Sequence, residues 1–103
     1  VTLVWQAAVA PRAAYTVFVH LVDDAGKIVA QSDAPPAAGY ATDLWLPGEV
    51  VIDSHTLRPP TAGRHRVLAG MYDPVSGQRL AAQDETGGSV PEQAIPLGQV
   101  TVP

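Results

Sequence analysis

Three histidines, ten acidic side chains and no cysteine set the limits on the chemistry open to this 103-residue chain. Without Cys there is no disulfide, no thiolate metal site and no Cys nucleophile. None of His20, His55 and His65 has a second His or a carboxylate two or four residues on along a helix. His55 shares a strand face with Asp53, which sets two ligand types side by side. A zinc site needs three or four converging ligands, so this couple reads as a solvated surface pair. His20 falls among apolar residues and is expected to be buried, bonded to backbone or to a Thr. Asp23, Asp24 and Asp73 would sit at hairpin tips, where loop oxygens could serve calcium. Asp also opens tight turns by bonding its own backbone, and that account is preferred. No metal and no cofactor is expected.

Glycosidase chemistry needs two carboxyls roughly 5–10 Å apart. Asp43, Glu49 and Asp53 are close in sequence, but nothing signals a cleft. A P-loop, a dinucleotide glycine fingerprint, a G-x-S-x-G elbow and H-E-x-x-H are all missing. Gly87-Gly88-Ser89 reads as a linker, since no helix start follows to supply free amides. Catalytic residues are therefore expected to be none, and binding is favoured over catalysis.

The segment Ala34 to Pro47 is the candidate binding loop. Connections beyond ~12–15 residues are usually functional or tightly packed. It carries Tyr40, Asp43 and Trp45 in a chain with only 6% aromatics. A ring beside a carboxylate suits a sugar, whose CH groups stack on the ring while a hydroxyl bonds the acid. Trp45, between Leu44 and Leu46, is expected to fold inward as a lid, which leaves Tyr40 as the ring to be displayed. Arg58, Arg64, His65 and Arg66 cluster around the turn at Pro59 to Gly63. They could bind a carboxylate, a phosphate or a lipid headgroup, but read first as a solvated rim.

The elements that must position these residues follow from composition and period. A chain of this length makes one domain with one modest core. Hydrophobic residues are 47% and charged ones 16%, which excludes a disordered tail. A net charge of -4 argues against nucleic acid as partner and against anionic lipid. No apolar run approaches ~18 residues, so no direct membrane insertion is expected. The chain begins at Val1 with no Met and is expected to be a piece of a larger protein. Without Asn it has no N-glycosylation acceptor.

Gly and Pro are spread along the chain and break every helical period. The apolar segments are short, Val-rich and bounded by turn residues, as strands are. Strands are expected near Thr2–Val9, Tyr15–Val22, Lys27–Ser32, Glu49–Leu57, His65–Tyr72, Arg79–Gln83 and Leu97–Val102. The second is apolar on both faces and should be central. Trp5, Val17, Val19, Leu21, Val51, Leu68 and Tyr72 are the expected core. VFVHLVDDAGKIVAQSD, from Val17, resembles VLAGMYDPVSGQRLAAQD, from Val67, and reads as a second copy of one hairpin design. Residues 1–103 thus form a single all-β domain, an antiparallel immunoglobulin/fibronectin-like sandwich of about seven strands, with a small barrel as the alternative.

Three segments carry a family resemblance: Tyr15-Thr16-Val17-Phe18-Val19-His20-Leu21, Leu44-Trp45-Leu46-Pro47-Gly48-Glu49-Val50-Val51, and Gly70-Met71-Tyr72-Asp73-Pro74 with Gly77 and Arg79-Leu80. The pattern resembles a β-sandwich module near the C-terminus of bacterial polytopic membrane proteins of the glycosyltransferase type, similar to lipid-phosphate-sugar-dependent mannosyltransferases. The resemblance spans about Thr2 to Val102. It implies a non-catalytic, extracytoplasmic accessory domain, tethered to the membrane through the rest of the same chain. Its partners would be a glycan or that membrane-protein remainder. The alternative is a purely structural or adhesive immunoglobulin-like module.

Overall fold

A computed structural model describes all 103 residues, Val1–Pro103. Six strands form two antiparallel sheets, and no helix exceeds a three-residue 3-10 turn. The strands are β1 (Thr2–Gln6), β2 (Thr16–Val22), β3 (Ile28–Ala34), β4 (Val50–Ser54), β5 (Gly63–Tyr72) and β6 (Ile95–Val102). One sheet is the pair β1-β4; the other has the order β3-β2-β5-β6. No helix is long and apolar enough to cross a membrane.

The period-2 pattern decides which residues meet between the sheets. Val17, Val19 and Leu21 of β2 pack with Val67 and Ala69 of β5 and with Leu3 of β1. The other face of β2, with Phe18, His20 and Val22, is buried too. That face is covered by the long connection from Asp73 to Ala94, which lays Arg79 over the Phe18 ring at 4.3 Å. β2 is therefore enclosed on both faces and flanked on both edges, as its sequence implies.

Three expectations are corrected. The segment Arg79–Gln83 is not a strand; it makes one bridge to Tyr72, and Gln83 one to Ser89. The turn before it forms as expected, with Gly77 N–H donating to Asp73 O and Asp73 N–H to Gln78 O. A full hairpin would need the edge of β5 that β6 occupies from Ala69 back to Gly63. The second copy of the hairpin is thus aborted by a competing strand, and six strands result. Leu68 and Tyr72 are only half-buried, because on β5 it is Val67 and Ala69 that point between the sheets. Trp5 is half-buried as well, at the margin of the core.

The two similar hairpins do not bring their Asp tips together. β2 and β5 run antiparallel, pairing Val22 with Arg66 and Thr16 with Tyr72. Asp23 and Asp73 therefore leave opposite ends of the sheet, ~25 Å apart along the strands. Each is spent on its own turn: Asp23 Oδ1 accepts from Ala25 and Lys27 N–H, and Asp73 Oδ1 from Val75 N–H.

Candidate functional site

The Ala34–Pro47 loop is a packed structure. It contains two 3-10 turns, Pro36–Ala38 and Thr42–Leu44. Thr42 is wholly buried and ties the loop to the β1–β2 connection: its hydroxyl donates to Ala13 O at 2.6 Å and accepts from Tyr15 N–H at 2.9 Å. Ala37 N–H donates to Asp53 Oδ1 at 2.9 Å, which fastens the first turn to β4. Ala37 and Ala38 both take positive φ, 50° and 57°, a strained choice for alanine.

Trp45 is the lid. It is 4% exposed and packs with Ala7 and Val51, while its indole N–H donates to Tyr40 O at 3.1 Å. With the ring turned inward it offers little surface for stacking on a ligand. Tyr40 is half-buried, its ring 6.3 Å from that of Trp45. Its hydroxyl donates to the Glu49 carboxylate at 2.9–3.0 Å, and this bond raises the phenol pKa above its ordinary value. Glu49 also accepts from Leu46 N–H. The carboxylate beside the Tyr40 hydroxyl is thus Glu49. Asp43 stands exposed on the second turn.

Beside the lid lies a hollow of about 430 Å³. Trp5, Trp45 and Met71 line it from the core side, and Gln6, Arg12 and Tyr15 carry its polar groups. Both indole N–H groups are already spent on Asp53 Oδ2 and Tyr40 O. The hollow thus meets hydrocarbon at its floor and an amide, a guanidinium and a phenol around it. Trp5 was legible in the sequence only as a core residue and Tyr15 only as the start of the second strand and of a segment carrying the family resemblance, while Arg12 carried no signal.

His55 and Asp53 are not a solvated pair. They are 5% and 1% exposed, with His55 Nε2 2.8 Å from Asp53 Oδ2. Val51 and Leu57 share their parity on the strand, and burying those apolar residues carries the polar pair inward with them. Asp53 also accepts from the Trp5 indole at 3.1 Å, and His55 Nδ1 lies 2.8 Å from Ser32 Oγ on β3. An ionised carboxylate only accepts, so Nε2–H donates to it, and in the neutral ring Nδ1 accepts from the Ser32 hydroxyl. A hydroxyl, an imidazole and a carboxylate in line is the arrangement that activates nucleophiles. Here, however, Ser32, His55 and Asp53 line neither the hollow beside Trp45 nor four others on the surface. The chain of bonds instead ties β1, β3, β4 and the loop turn together across the gap between the sheets.

The remaining histidines also depart from expectation. His65 leaves the Arg rim: strand alternation sends Arg64 and Arg66 outward and His65 inward, to 2% exposure. Its Nδ1 is the buried side-chain polar atom with no partner. His20 is buried as expected, but its ring bonds neither backbone nor Thr. It packs on Phe18 at 4.9 Å, with its pKa lowered by burial and by the Arg79 charge, and raised less by Asp33. No group of three or more His, Asp and Glu side chains is placed to hold a metal ion.

Comparison of the chain with protein families, with curated proteins and with solved structures gave no match.

Proposed function

We propose that this chain is a non-catalytic accessory module of immunoglobulin- or fibronectin-like kind. It is tethered on the outer side of a bacterial membrane to a sugar-handling protein and holds glycan weakly. The observation that carries the binding role is the hollow floored by Trp5 and Met71, with the buried Trp45 behind them, and edged by Gln6, Arg12 and Tyr15. Sugar CH groups favour such an apolar floor, and their hydroxyls favour amide, guanidinium and phenol partners. Tyr40 and Asp43, on the crest of the neighbouring loop, extend the same reading. The strand order supports the fold reading: β3-β2-β5-β6 opposite β1-β4 matches a sandwich that splits its strands between two sheets by Greek-key connections. The membrane-side placement rests on the resemblance of the Tyr15–Leu21, Leu44–Val51 and Gly70–Leu80 segments.

The test is an NMR titration with neutral cell-wall saccharides. A few contacts on an open hollow leave an affinity near ~1 mM after the entropy of association is deducted. Saturable shifts are expected at the Trp5 and Trp45 indole N–H groups and at Tyr15, and Tyr15→Ala should remove them. Shifts confined to Tyr40 and Asp43 would move the glycan to the loop crest. Silence at both sets would remove the glycan role. Docking to the rest of the parent protein would then lead, a reading favoured by Val4, Val50 and Ile52, which stand more than half exposed on the outer face of β1-β4.

A further inference from the structure

The outer face of the four-stranded sheet holds a second hollow, of about 350 Å³, between β2, β5 and the Asp73–Ala94 connection. It shares no residue with the hollow beside Trp45. Its charged lining is two guanidiniums, Arg66 and Arg79, against the single carboxylate of Glu92. That is a positive recess on a chain of net charge -4. Register explains the convergence: His20 lies opposite Leu68, and Val22 opposite Arg66, so His20 and Arg66 point from adjacent strands to one face.

Three features of this hollow bear on what it could hold. Arg79 is held in place by its stack on Phe18 and by one bond, Nη1 to Glu92 O at 2.8 Å. A guanidinium carries five N–H donors, and no carboxylate pairs with this one; the single ion pair in the chain is His55–Asp53. His20 is 7% exposed, lines the hollow, and makes no hydrogen bond in the protein. Glu92 and Gln93 both hold φ at 57°, a left-handed pair that costs energy in non-glycine residues and recurs at ligand sites. Pro91, Glu92 and Ala94 of their turn line the hollow together with His20, and Ile28, Leu68 and Pro96 supply apolar surface.

We propose that this hollow binds a small organic anion, whose carboxylate or phosphate group is held by Arg66, Arg79 and His20 while its body lies on Ile28, Leu68 and Pro96. The volume is at the lower end of what small-molecule sites offer, so the ligand is of single-ring size. Arg79 contributes a planar fork suited to two oxygens of one anion. The neutral His20 ring donates one N–H. The groups that face His20 are Arg66 from β5, Arg79 and Glu92 from the connection, and Asp33 from β3, whose carboxylate is engaged by the Tyr72 hydroxyl at 3.0 Å. A bound anion would counter the Arg79 charge and favour the imidazolium.

The experiment is NMR on the whole chain at constant ionic strength, with sodium phosphate, sodium glucuronate and glucose as separate probes. One or both anions should shift the His20 ring and Arg79 Nε–H signals saturably, and should raise the His20 titration midpoint. Glucose should do neither. Phosphate alone acting identifies a phosphate site; glucuronate alone identifies a carboxylate on a ring. Arg66 is exposed, so Arg66→Gln should keep the amide spectrum and weaken binding roughly fivefold or more, the loss of one charged hydrogen bond. Arg79→Lys keeps the charge but not the fork and should weaken it as well. No saturable shift at roughly 50 mM of either anion, far above a ~1 mM dissociation constant, would overturn the proposal. So would shifts that are equal at His55 or unchanged in Arg66→Gln.

Discussion

Asp53 is the side chain on which most of the molecule converges. Its carboxylate receives the Trp5 indole, the Ala37 amide and the His55 imidazole, at 1% exposure. Asp53→Ala strands three donors away from water. A loss of ~3–5 kcal/mol is expected in urea unfolding, as for one partner removed from a buried pair. Asp53→Asn should lose less, since an amide oxygen still accepts. His20 makes a different prediction, about pH. Burial and Arg79 hold its pKa below 6.5 in the folded chain. As pH falls through about 6.5 the unfolded chain binds the proton first, so the His20 contribution is fully present above that point and is lost on acidification. Unfolding free energies between neutral pH and pH 5 should therefore fall less steeply in His20→Phe than in the parent.

At the scale of elements, two connections behave as parts of the core. The Ala34–Pro47 loop is nailed down by Thr42, Trp45 and the Ala37–Asp53 bond. Trp45→Ala should cost ~3–5 kcal/mol, the range for a buried aromatic truncated to a methyl, and thermal or urea unfolding would report it. Tyr40→Ala, at a half-buried surface position, should cost far less. The Asp73–Ala94 connection lies against the outer sheet face through Gly70. A Cβ there would stand 2.6 Å from Phe18 Cε1 and 2.9 Å from the Gln93 carbonyl, and would also collide with Phe18 Cζ. Phe18 is 1% exposed and has nowhere to go. Gly70→Ala should destabilise by ~1–3 kcal/mol through overpacking, and should perturb Arg79 and Glu92 signals before those of β1 and β4.

For the whole molecule the asymmetry of the two sheets matters most. In the four-stranded sheet β2 is covered on both faces, whereas β1-β4 is a ribbon with an apolar, exposed outer surface. Val4 and Ile52 face each other across the strands at 67% and 66% exposure. A two-stranded ribbon is marginal alone; this one is held by Leu3, Trp5 and Val51 on its inner face and by the Asp53 bonds. Replacing Val4 and Ile52 together with Thr should change stability by no more than ~1 kcal/mol, the worth of a cross-strand pair. It should also lower any self-association seen by sedimentation. A larger loss of stability would mean that the outer face is packed against something in solution.

Fold class was written locally. Short Val-rich runs, turn residues such as Asp23 to Gly26 and Asp73 to Gly77, and the two-faced apolar pattern of β2 each depend on neighbours in sequence, and each appears as expected. Trp45 as a lid was legible for the same reason, lying between two leucines on a loop bounded by prolines. What the sequence could not contain is competition between distant segments. Whether Arg79–Gln83 pairs depends on β6 having taken the edge of β5. Whether Asp53 and His55 meet water depends on Val51 packing against Trp45 and on Leu57 packing onto the core, where Ser32 meets the imidazole. The convergence of Arg66, Arg79 and His20 joins residues up to 59 apart, through antiparallel register and a connection folded back over the sheet. Such long-range choices are settled by burial and by the need to pair every buried polar group, and those are properties of the assembled sandwich.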